Sequence, residues 1–229
     1  MEWLIKDMHE ELKSWGFPGG GSNKLILKTD GEPAIVALRE ALGKYHGGNI
    51  TPELPPKGES QSNGRVEEAG KTIRGMVRVY ISQIEEKVNV KIEAEDVILQ
   101  WAIRWAAMGY SRFKVGGDGK TQYERQKGKC KVEALPFGEK VFYKQLKVSG
   151  EPQTKMETDW KEGIWLGQTR SSPEILIGTE SGVVRAWAVK RRIEGEKWNQ
   201  NLIKNMNLIL GGYFEFFTLR KSLRKPVKL

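Results

Sequence analysis

Cysteine is nearly missing from this chain. Cys130 stands alone among 229 residues, so no internal disulfide can form and a cysteine-built zinc site is not expected. It reads as an inert thiol in or beside a loop. Histidine is almost as scarce: His9 and His46 lie far apart with no ligand-like spacing, and neither is expected to carry function. Long hydrophobic runs are lacking too. The most apolar stretch, Leu208 to Leu219, is too short to span a bilayer and holds Glu215, so no transmembrane span is expected. Glu2, Lys6 and Asp7 interrupt the start too early for a signal peptide. Membrane and disulfide-scaffold classes are thereby set aside.

What is present is ordinary for a soluble globular protein, with 38% hydrophobic and 29% charged residues. The length suits one large domain or two small ones. A net charge of +9 and a pI of about 9.5 favour an acidic partner over a neutral one. The excess is uneven. Arg220, Lys221, Arg224, Lys225 and Lys228, with no acid among the last ten residues, supply five of the nine charges. The body is only mildly basic, and composition alone does not mark a nucleic-acid binder.

The most informative stretch is Gly58 to Arg78. Gly58 to Gly64 is rich in Gly, Ser, Asn and Gln, which favour turns and compete with helix for backbone hydrogen bonds. Ser62 or Asn63 suits an N-cap, and a helix is predicted from there to about Glu86. With Glu67 in its first turn, Lys71, Arg74 and Arg78 fall within roughly 40° of it around the axis. One face thus presents a carboxylate followed by three cations. Val66, Ile73, Val77, Ile81 and Ile84 form a separate apolar stripe, expected to be buried. A carboxylate at the head of a basic ridge suits a metal ion beside a polyanion: the ion takes hard oxygen ligands, and phosphates take Lys and Arg. The bland alternative is a solvated face with Glu–Lys pairs at four-residue spacing. Upstream, Lys24 to Thr29 reads as an interior strand with Asp30 at its C-terminal tip, where carboxylates can enter a ligand crevice. Thirty-six residues lie between Asp30 and Glu67. They include an amphipathic helix, about Pro33 to Tyr45, and a Pro- and Gly-rich loop.

These two segments together resemble the catalytic core of retroviral-type integrases, above all that of copia-like LTR-retrotransposon Pol polyproteins. Thr29-Asp30-Gly31 is similar to the strand end that carries the family's second catalytic Asp. Gln61-Ser62-Asn63-Gly64-Arg65-Val66-Glu67 is similar to the loop and helix start that carry its catalytic Glu. The spacing is slightly longer than the family's. The resemblance implies an RNase H-like α/β fold of DDE type and DNA integration by strand transfer. Asp30 and Glu67 would be catalytic residues and ligands of Mg²⁺ (or Mn²⁺), converging on one crevice. Lys71, Arg74 and Arg78 would hold DNA backbone. The family's first Asp lies on strands that would precede Met1, and neither Asp7 nor Glu32 occupies a matching position. A His/Cys zinc module is likewise missing. Weak metal binding and a catalytically incomplete chain are therefore expected.

Elsewhere, Trp3, Leu4, Met8, Leu12 and Trp15 mark an amphipathic helix over 2–15, ended by Gly16 to Gly21. A largely buried helix is predicted over about Glu93 to Tyr110, its Trp101 and Trp105 core rather than base-stacking platforms. Ser111 to Cys130 turns polar. Its Thr121-Gln122-Tyr123-Glu124 and Gly128-Lys129 resemble the segment closing the copia-like core, with Gln122 where the family has Pro. From Ala134 the pattern changes to short strands at 138–143, 163–167, 174–178 and 182–189, punctuated by glycine, which predicts a small all-β barrel. The same order is similar to the SH3-like module that follows the core in copia-type polyproteins. Lys190-Arg191-Arg192 at its exit reads either as a phosphate contact or as a solvated run.

The resulting expectation is an integrase-core-like fragment over 1–130 lacking its first strands, an SH3-like barrel over 134–193, and a basic tail over 194–229 compatible with disorder. In the tail, Leu208 to Leu219 reads as an added helix or as sequence never selected to fold. DNA is the implied partner, with self-association allowed, in the nucleus or in a cytoplasmic particle of a parent element. The rival readings are a nucleic-acid-binding remnant, preferred over catalysis for this chain, and a protein-interaction module centred on the barrel.

Overall fold

The computed structural model describes residues 2–20, 24–54, 64–130, 134–145, 159–170 and 172–207. The chain divides into two compact units, with the boundary between Lys71 and Thr72. Among the described residues no helix is long and apolar enough to cross a membrane. The class is mixed α/β.

The first unit opens with α1 (Glu2–Ser14), followed by β1 (Lys24–Lys28), α2 (Pro33–His46), β2 (Asn49–Glu53) and the first turns of α3 (Gly64–Val88). Proline opens α2, where its missing N–H costs nothing, and Gly47 closes it at φ 65°. β1 and β2 pair in parallel, Lys24 opposite Asn49 through Lys28 opposite Glu53, with α2 as the crossover. β2 falls where a loop was expected, because Pro52 reads as a strand breaker. A two-stranded sheet makes β2 an edge, and edges tolerate proline. β1 is not the interior strand the apolar run suggested. Exposed and half-buried residues alternate along it, and Ile26 keeps 55% of its surface. Leu12 of α1 and Leu42 of α2 are the buried aliphatic anchors here, whereas Trp15 remains half exposed beyond the end of α1.

In the second unit α3 continues into α4 (Val97–Phe113), α5 (Gln122–Lys127) and four strands: β3 (Lys140–Gln145), β4 (Trp160–Gln168), β5 (Ile175–Thr179) and β6 (Gly182–Arg191). The predicted helix start at Glu93 is displaced to Val97, since Asp96 turns its carboxylate onto the Glu93 N–H at 2.7 Å. α5 is started by a reciprocal cap: the Thr121 hydroxyl accepts from the Glu124 N–H, and the Glu124 carboxylate accepts from the Thr121 N–H. Physically, that is what the Thr-x-x-Glu spacing is for.

β3 pairs antiparallel with β4 and β6, and β5 pairs with both, so the pairings run round in a closed ring. Val141, Ile164, Leu166 and Leu176 are fully buried among its strands, as is Phe137 just before them. α4 packs against β4, with the Trp105 and Trp165 rings edge to face at 4.8 Å. Beyond β6, α6 (Gln200–Lys204) is capped by Asn199 and buries Ile203, and Met206 follows it inside.

One buried charge anchors the ring. Glu139 is fully buried, and both its oxygens accept from Arg191, at 2.8 Å each. Arg191→Met strands that carboxylate. The expected loss is about 3 kcal/mol, measured by urea unfolding followed at the second unit's tryptophans. A loss near zero would mean that water replaces the guanidinium.

Candidate nucleic-acid interface

Asp30 sits two residues beyond β1, exposed, in the turn that feeds α2. Its Oδ1 accepts from the Glu32 N–H at 3.4 Å. The neighbouring Thr29 is fixed twice: its N–H donates to the Glu53 carbonyl at 3.1 Å, and its hydroxyl accepts from Arg39 of α2 at 3.0 Å. The carboxyl ends of β1 and β2 therefore lie side by side, bridged on the surface by Lys28 and Glu53 at 3.4 Å. Asp30 follows one of these ends, and the segment leading into α3 follows the other. Residues 55–63 of that segment, including the expected caps Ser62 and Asn63, lie outside the described residues.

Glu67 occupies the first turn of α3, where a carboxylate complements the helix dipole. Lys71, Arg74 and Arg78 follow at intervals of four, three and four residues on the same face, and all four side chains are exposed. From Lys71 to Arg78 the cations cover roughly 10 Å of helix. Among the described residues none of the three is matched by a carboxylate at ion-pair distance, not even Lys71 with Glu67 one turn before it. The face is solvated, but the Glu–Lys pairs of the bland alternative are not formed among the described residues. The apolar stripe beside it differs from expectation. Ile84 is fully buried and Ile73, Val77 and Ile81 are half-buried, but Val66 keeps 73% of its surface. Burial along α3 grows toward its C-terminal half, leaving the first turns largely in solvent.

The basic run at the end of β6 turns out to be occupied. Arg191 holds Glu139. Arg192 lies over the Phe142 ring at 4.1 Å and pairs with Glu162 and Glu196. Lys190 stands over Trp160 at 4.2 Å. These cations make contacts within the fold, and Lys190 and Arg191 also remain exposed.

Among the described residues no three His, Cys, Asp or Glu side chains gather closely enough to hold a metal ion. A different pair does meet. His9 of α1 and His46 of α2, thirty-seven positions apart, bring their Nδ1 atoms to 3.1 Å. Only the packing of α1 on α2 could reveal this, since spacing within one helix carries no trace of it. Burial and the neighbouring His9 both push the His46 pKa below its usual 6.5. The unfolded chain then takes up a proton below that pH before the folded chain does, so stability is whole above about pH 6.5 and declines as pH falls through it. Amides of α1 and α2 should lose exchange protection between about pH 7.5 and 5.5, after correction for intrinsic rates. Unchanged protection would show that His46 titrates as it does in the unfolded chain.

No family model matches the sequence, and no curated protein matches it. Among solved structures, the chain is similar to one chain of the cryo-electron microscopy structure of the simian T-cell lymphotropic virus intasome in complex with PP2A regulatory subunit B56 gamma. The TM-score is 0.38 and the identity 16%, over 83% of this chain and 63% of that one. Likeness of that degree assigns no family. This chain spans less than two thirds of its neighbour's length.

Proposed function

We propose that this chain is a nucleic-acid-binding, catalytically incomplete member of the integrase kind, an RNase H-like core fragment continued by an SH3-like barrel. The observation that carries the reading is the ridge of α3: three exposed cations on one face, unpaired with carboxylates among the described residues, behind an acid in the first helical turn. A phosphate backbone is the partner such a ridge fits, because neutralising it releases bound counterions. Lys71, Arg74 and Arg78 hold that backbone in this proposal.

Strand, helix and parallel strand in succession support the core assignment, with Asp30 just beyond one of two neighbouring strand ends. The four-stranded ring supports the barrel assignment. Asp30 and Glu67 offer hard carboxylate oxygens, the donor type that Mg²⁺ or Mn²⁺ prefers. When bound, such ions activate a 3′-hydroxyl for attack on a phosphodiester and stabilise the departing oxygen. Two carboxylates are too few donors to build the paired-ion arrangement that chemistry uses, so no strand-transfer step is assigned to this chain. It grips DNA without cutting or joining it.

The test is binding of a fluorescent 30-base-pair duplex over a range of salt concentrations, with Lys71→Ala/Arg74→Ala as the variant. A strand-transfer assay with Mg²⁺ or Mn²⁺ completes it. Affinity that ignores both salt and the two substitutions overturns the binding assignment. Robust joining, abolished by Glu67→Gln, overturns the inactivity.

A further inference from the structure

We propose that His9 and His46 form a binding site for a borderline divalent cation such as Zn²⁺ or Ni²⁺, which clips α1 to α2 through the two Nδ1 atoms.

The geometry points to it. Two nitrogen donors about 2.0–2.1 Å from one zinc ion stand roughly 2.9 Å apart at a right angle and 3.4 Å apart at the tetrahedral angle. The observed separation of 3.1 Å falls inside that interval. The rings are inclined by 72°, with centroids 5.1 Å apart, edge to face rather than stacked. Each is held in place. The Tyr45 ring lies edge-on to His9 at 5.2 Å. His46 keeps only 7% of its surface, and Gly48 crowds its ring: a Cβ there would stand 2.8 Å from Cδ2 and 3.0 Å from Nε2. Imidazole positioned in this way loses little freedom on binding a cation. His9 is half-buried, which leaves an open side where water completes the coordination.

The protonation fits as well. Neutral imidazole is the ligating form. Without a cation, one ring donates its Nδ1 proton to the other. With one, both rings carry their proton on Nε2, and both Nδ1 lone pairs face the ion. Donor class separates this site from Asp30 and Glu67, whose oxygens favour Mg²⁺.

The chain contains only two histidines, which makes the test direct. In a Cys130→Ser background, to exclude the thiol, Zn²⁺ is titrated into the full chain near pH 7.5. Calorimetry and the two imidazole proton signals in NMR are the readouts. One equivalent should bind and move both signals together, and an excess of Mg²⁺ should not displace it. His9→Gln, at the more exposed position, should weaken binding by tenfold or more, since losing a ligand costs at least what losing a ligand's supporting group does, about 10- to 100-fold. His46→Gln should do the same where it folds. A single moving signal, or binding unchanged in His9→Gln, overturns the proposal.

Discussion

Replacing Lys71 and Arg74 together by alanine should weaken duplex DNA binding roughly ten- to sixtyfold at 0.1 M salt. The magnitude follows from counterion release. Each phosphate contact contributes about −0.9 to the slope of log K against log salt, so two lost contacts flatten the slope by about 1.8. Extrapolated to 0.1 M, that is a factor of about 60, and the lower figure allows Arg78 and its neighbours to re-engage. Both side chains are exposed on a continuous helix, and alanine is the best helix former. Far-ultraviolet circular dichroism should therefore be unchanged. The salt slope is the decisive readout, because a merely unfolded variant would lose affinity without this graded change. A variant with parent-like slope and affinity would remove both residues from the interface.

Gly167→Ala should cost the second unit about 3 kcal/mol or more. Gly167 lies at φ 107°, a region that side chains with a Cβ rarely enter. It follows Leu166 where β4 carries an extra residue against β5, the bulge that lets the strand bend. A methyl group there would come within 2.4 Å of Trp105 Cε3. Strain of about 1–3 kcal/mol and a comparable overpacking cost act together. Trp105→Ala by itself should cost about 3–5 kcal/mol through its cavity. In the double variant the clash disappears, so the combined loss should fall short of the sum by about 1 kcal/mol or more. Strict additivity in urea unfolding would mean that the indole does not restrict position 167.

How much of this was readable in the sequence depends on whether a feature is local. α3 and α4 were, because a 3.6-residue period over 25 and 17 residues leaves little ambiguity. The strands of the ring were, because glycine brackets each run. The Glu67, Lys71, Arg74 and Arg78 face was, since it needs only helical geometry. β2 was not, because Pro52 and a single isoleucine outweigh a pairing that depends on β1. Val66 was read as buried from periodicity, but periodicity names a face without saying whether anything covers it. The intramolecular contacts of Lys190 to Arg192 were not legible, because their partners Glu139, Phe142, Trp160 and Glu162 come from other strands and the loops beside them. The His9–His46 meeting is the extreme case, visible only once two helices dock.

The parallel pair β1–β2 carries one last implication. Each strand hydrogen-bonds on a single side among the described residues, and Ile26 faces outward. Vacant donors and acceptors of that kind recruit extended segments from other molecules. At high protein concentration, association through exposed backbone should begin at 24–28, since Pro52 leaves 49–53 without one of the N–H groups an added strand would need.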